Sequence, residues 1–78
     1  MTELMEPSPA VKPREMTRRQ RQVIERIALG DSFREAAEAL GMSQRTIEKH
    51  VAVAKLRLGA RSLAQAAVLA VRGGYIRV

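Results

Sequence analysis

Residues 34–53 read REAAEALGMSQRTIEKHVAV. In the first half, Ala36, Ala37 and Leu40 recur at the spacing of one helical face. In the second half, Ile47 and Val51 are four apart, again one face. Gly41-Met42-Ser43 separates the two. Gly41 falls where a helix ends in a left-handed residue. Ser43 is a plain N-cap for the next helix. Met42 is apolar where the turn should tuck inward. The stretch therefore predicts two helices joined by a tight turn. Ala36 and Ala37 are small, which lets the two approach closely.

The same punctuation extends in both directions. Thr17 with Gln20, Ser32 with Glu35, and Ser62 with Gln65 each match the capping box, in which the third residue reaches back to the cap. Gly30, Gly59 and Gly73 join Gly41 as expected left-handed helix ends. Helices are predicted at roughly 18–29, 33–40, 44–58 and 63–72. Each carries an apolar stripe: Val23, Ile24, Ile27 and Ala28; Phe33, Ala36, Ala37 and Leu40; Ile47, Val51, Ala54 and Leu58; Leu63, Ala66, Ala67 and Ala70. No strand-like alternation competes, so the fold class is all-α. Residues 1–15 hold all three prolines and few large apolar residues. They read as a flexible tail, leaving 16–78 as the one folded domain.

With 78 residues, the chain has a marginal core, and without cysteine it has no disulfide or thiolate metal site to support it. Helix packing and oligomerisation remain. One histidine and no cysteine leave no metal cluster, so neither metal nor cofactor is expected, nor an enzyme. Phe33 and Tyr75 are the only aromatic residues, too few for stacking single-stranded nucleic acid. No apolar run approaches ~18 residues, so no membrane span is expected. The N-terminus lacks the features of a signal peptide. A soluble, cytoplasmic protein is expected.

Charge is uneven. Residues 1–15 carry Lys12 and Arg14 against Glu3, Glu6 and Glu15, a net of −1, so the remainder of this +6 chain carries +7. Such a balance points to a polyanionic partner, most simply nucleic acid.

Two short helices around a Gly-containing turn make a helix-turn-helix, here roughly 34–53. The second helix of such a pair enters the major groove of double-stranded DNA. The longer run sharpens this. Thr17–Gln20 opens it, followed by Gly30 and Glu35-Ala36-Ala37. Leu40-Gly41-Met42-Ser43, Thr46-Ile47 and His50 form its centre. Arg57-Leu58-Gly59-Ala60 and the Ala-rich segment 66–74 close it. Across residues 16–76 the sequence resembles the LuxR-type (GerE-like) helix-turn-helix family. The resemblance implies a four-helix DNA-binding module of a transcription regulator, dimeric through its fourth helix. Three features depart from the family pattern. Arg18 replaces the usual Pro and Gln20 the usual Glu. Glu48 stands where the family often has Lys. The sensing domain that usually precedes the module has no counterpart, so a stand-alone module is expected, without the usual regulation by phosphorylation or a small signal molecule.

On a wheel of about 100° per residue with Ile47 at zero, Glu48 lies at about 100°, Ala52 at about 140°, Arg45 at about 160° and Lys49 at about 200°. These four form the outward face, and the resemblance assigns groove reading to positions 48, 49 and 52. Arg45 and Lys49 suit guanine O6 and N7. Ala52 admits close approach or touches a thymine methyl. As a carboxylate, Glu48 only accepts hydrogen bonds: either it takes the cytosine N4 amino group, or it pairs with Arg45 at i−3 and orients it. Leu56, at about 180° but two turns further from the bases, reads as a scattered surface apolar residue, with a partner contact as the alternative.

Backbone contacts form a separate class that positions the protein without encoding sequence. Ser43, Gln44 and Thr46 lie at a helix N-terminus that favours phosphate. Arg57 matches the family's Lys, and Arg61 follows it. Arg18, Arg19 and Arg21 set cations against a positive dipole end, which an external anion would relieve. His50, on the edge between core and surface, is expected to make a structural or phosphate hydrogen bond. Val68, Leu69 and Val71 give the fourth helix a second apolar face, the expected homodimer interface. Two alternatives stand beside this reading. One is a decoy that pairs with full-length LuxR-type regulators or contacts the transcription machinery, RNA polymerase included. The other is a module like region 4 of a sigma factor.

Overall fold

The computed structural model describes residues 16–77. It contains four helices: α1 (Arg18–Ala28), α2 (Phe33–Leu40), α3 (Gln44–Leu58) and α4 (Leu63–Arg72). No strand occurs among the described residues. The expected boundaries hold except that α1 stops at Ala28, with Leu29 as its C-cap. The tail reading of residues 1–15 lies outside the described residues.

Local chemistry explains the starts. Thr17 and Ser32 each form the full capping box, hydroxyl to the third N–H and Gln20 or Glu35 back to the cap. Ser43 caps Thr46 alone. Ser62 departs from expectation. Its hydroxyl accepts from the Gln65 N–H at 3.0 Å, but Gln65 Oε1 accepts from the Arg61 N–H instead, at 2.6 Å. Ser62 sits at φ −140°, against −72° at Thr17 and Ser32. That rotation turns its own N–H away from Gln65.

The ends also differ at one point. Gly41 at φ 68° and Gly59 at φ 71° are left-handed, as expected. Gly73 is not: it sits at φ −81°, and Gly74 takes the left-handed position. Gly73 is constrained by space instead. A Cβ there would come within 2.7 Å of Tyr75 Cε2.

Val23, Ile24, Ala36, Ile47, Ala54, Ala66 and Ala70 are fully buried. α1 and α3 each pack against the other three helices, and on α3 only the outward side is left for solvent. Three core members escape the helix-period reading. Met16 and Ile76, at the two ends of the described chain, are both buried in the cluster, and Gln20 is the one buried polar residue among the described residues. Gln20 is tolerated there because its Oε1 accepts the Thr17 N–H at 2.9 Å. Ala67 corrects the α4 stripe: it is half-buried and lines an open groove rather than packing on the core. Between α1 and α2, Arg26 Nε lies 2.7 Å from Asp31 Oδ2. The bridge fastens the α1 end to the start of the next turn.

Candidate nucleic-acid interface

The periodicity of α3 separates its faces cleanly. Ile47, Val51 and Ala54 are buried, while Arg45, Glu48, Lys49 and Ala52 are all exposed. The four residues expected to meet the groove are therefore brought together on one open face. Among the described residues, none of their side chains makes a hydrogen bond or ion pair. In particular, Glu48 is not paired with Arg45, so the orienting role is not taken up in the free protein.

The N-terminus of α3 is open as well. Ser43 Oγ accepts from the Thr46 N–H at 3.0 Å and lies 2.9 Å from Thr46 Oγ1. One hydroxyl donates to the other, which leaves the second hydroxyl's proton free for an outside acceptor. The N–H groups of the first turn have no intrahelical acceptor, and no acidic residue occupies that turn. Gln44 is exposed and Thr46 half-buried. This end of the helix is suited to an external anion.

The first turn of α1 shares that electrostatic character. It carries Arg18, Arg19 and Arg21, all exposed, and no acidic residue. Arg19 Nη1 donates to Gln22 Oε1 at 2.9 Å, and Arg18, Arg19 and Gln22 line a shallow depression. His50 is half-buried and makes no hydrogen bond among the described residues. The expected structural bond is thus not formed. Arg57 is half-buried and Arg61 exposed.

On another side, Ala28, Ala67, Val68, Val71 and Arg72 line an open, almost wholly apolar groove between α1 and α4. Val68 is 53% and Leu29 57% exposed. Leu69, grouped with Val68 and Val71 from the sequence, is half-buried and does not line the groove. The contribution of α1 through Ala28 was not legible, because it depends on how α1 lies against α4.

The sequence matches known proteins. Residues 14–70 fit the model of the bacterial regulatory proteins of the luxR family. The chain belongs to that family. Over 69 residues it is 42% identical to the transcriptional activator protein BjaR1 of Bradyrhizobium diazoefficiens, covering 88% of this chain and 28% of that protein. The chain thus spans about a quarter of the length of this relative. The matched residues are the family's DNA-binding helix-turn-helix domain, and the class they define is a regulator of transcription rather than an enzyme. Among the described residues of this LuxR-family domain, no helix is long and apolar enough to cross a membrane. No group of three or more His, Cys, Asp or Glu residues is placed to hold a metal.

Proposed function

We propose that this chain is a sequence-specific, double-stranded DNA-binding transcription regulator that places α3 in the major groove and acts as a homodimer in the cytoplasm. One observation carries the reading. α3 buries Ile47, Val51 and Ala54 while presenting Arg45, Glu48, Lys49 and Ala52 outward with no partner within the described residues. Charged groups held ready on a fixed helix are what direct base readout requires. Arg45 and Lys49 donate to guanine, Glu48 accepts from cytosine N4, and Ala52 allows close approach. Ser43, Gln44, Thr46, Arg18, Arg19, His50, Arg57 and Arg61 hold phosphates and set the register.

The apolar groove on α4 supports the dimer. Small residues, Ala28 and Ala67, sit beside projecting Val68 and Val71. A two-fold pairing would seat one copy's valines against the other's alanines, as an isologous contact requires. Two copies then read half-sites roughly 10–10.5 base pairs apart. The same groove favours a second reading, in which α4 pairs with a longer family member and removes it from DNA. Mobility shift on genomic fragments distinguishes them. Selective, salt-sensitive shifts by the chain alone support the regulator. A chain that shifts no fragment, yet abolishes the shift of a longer family member, supports the decoy.

A further inference from the structure

Leu56 is 81% exposed, the most exposed large apolar side chain among the described residues. It lies on the same outward line of α3 as Lys49 and Ala52, which are also exposed. Along that line the face turns from charged to apolar. Here the residues on either side are cations, Lys55 and Arg57, both half-buried. They project about 100° to each side of Leu56. This is an apolar ridge with a positive flank on both sides. The major groove offers the complementary pattern: a floor that carries apolar thymine methyls, walled on both sides by phosphates.

We infer that Leu56 is a further specificity residue, contacting the C5-methyl of a thymine beyond the bases read by Glu48, Lys49 and Ala52. The inference rests on the placement of α3 in the major groove. Eight residues separate Glu48 from Leu56, about 12 Å along the helix axis. The domain therefore prefers thymine at one position further along the groove than the pair read by Glu48, with Lys55 and Arg57 toward the two backbones on either side. Because Leu56 is so exposed, its side chain adds little to the fold, and its effect belongs to the complex.

Replacing thymine by uracil removes only the methyl group, so a uracil scan isolates the contact. The probe is a duplex recovered by selection with the full chain, with each thymine changed to uracil in turn. The wild-type protein should lose affinity roughly fourfold at one position, the effect of one methyl group. Leu56→Ala should bind the thymine duplex as weakly as wild type binds the uracil one, and should be indifferent to the exchange. Its helix content and thermal unfolding should match wild type. If no uracil position loses its effect in Leu56→Ala, the inference is overturned while DNA binding itself stands. If the chain selects no duplex at all, both the inference and the reading beneath it fall.

Discussion

Arg45 and Glu48 stand one turn apart on α3, both exposed, and no ion pair joins them among the described residues. A pair at this spacing on a helix surface contributes only about 0.2–0.5 kcal/mol, so its absence costs the fold little. It leaves the Glu48 carboxylate and the Arg45 guanidinium each available to an outside partner. Against DNA, on the proposed groove side, an unpaired acid meets a field of its own sign, which is unfavourable. That cost is recovered where the carboxylate meets a donor, and in a groove the donor is the cytosine amino group.

Glu48→Gln tests that assignment. A glutamine keeps the acceptor oxygen, removes the charge and adds donors, which suit adenine. The expected outcome is a change of preference at one base position, away from cytosine, with little loss of overall affinity. Site selection with the variant reads this directly. A uniform change across all positions would point to electrostatics alone.

The two cationic clusters should respond differently. Lys49→Ala and Arg45→Ala should each cost about 1–3 kcal/mol on the selected duplex and relax one position. Arg18→Ala should weaken all duplexes alike and reduce the magnitude of the salt slope by about 1. Anisotropy titrations at several salt concentrations separate these outcomes. None of the three should shift thermal unfolding appreciably, since all three side chains are exposed.

Stability should follow burial. Ile47 is fully buried near the start of α3, so Ile47→Ala should destabilise the domain by about 2–5 kcal/mol. Thr17→Ala removes one half of a complete capping box and should cost about 1 kcal/mol. Gly41→Ala meets no atom within 4 Å, yet the position is at φ 68°. Its cost should be strain alone, roughly 1–2 kcal/mol. Chemical unfolding of the three variants gives the order.

Much of this was legible because it is written locally. Thr17, Ser32, Ser43 and Ser62 mark their helix starts by chemistry confined to three residues, and the α3 stripe fixes which side faces out. What escaped depends on how the chain turns and packs beyond a single helix. Met16 and Ile76 are buried because the two ends of the described chain meet the same core, which no local period records. Gly73 and Gly74 exchange roles because Tyr75 folds back over the first of them. Ala67 has helical core spacing but faces the α1–α4 groove. Arg26 and Asp31 are five apart, a spacing that pairs only once the chain has left the helix.

The α4 groove makes its own prediction. Val68 is exposed and lines the groove, so Val68→Glu should leave folding intact but place like charges together in a two-fold contact. Binding to a two-half-site duplex should lose cooperativity, while affinity for a single half-site is kept. Analytical ultracentrifugation at half-saturating protein should find mostly one copy per bound duplex where wild type places two.

The most direct measurement is selection of binding sites from random double-stranded DNA, run in parallel with the wild-type chain and with the Arg45→Ala, Lys49→Ala double variant. The wild type should enrich a defined motif with repeated half-sites, and the folded double variant should enrich none or a relaxed one. The same motif from both proteins would contradict the account, because the outward face of α3 would then not be what reads the DNA.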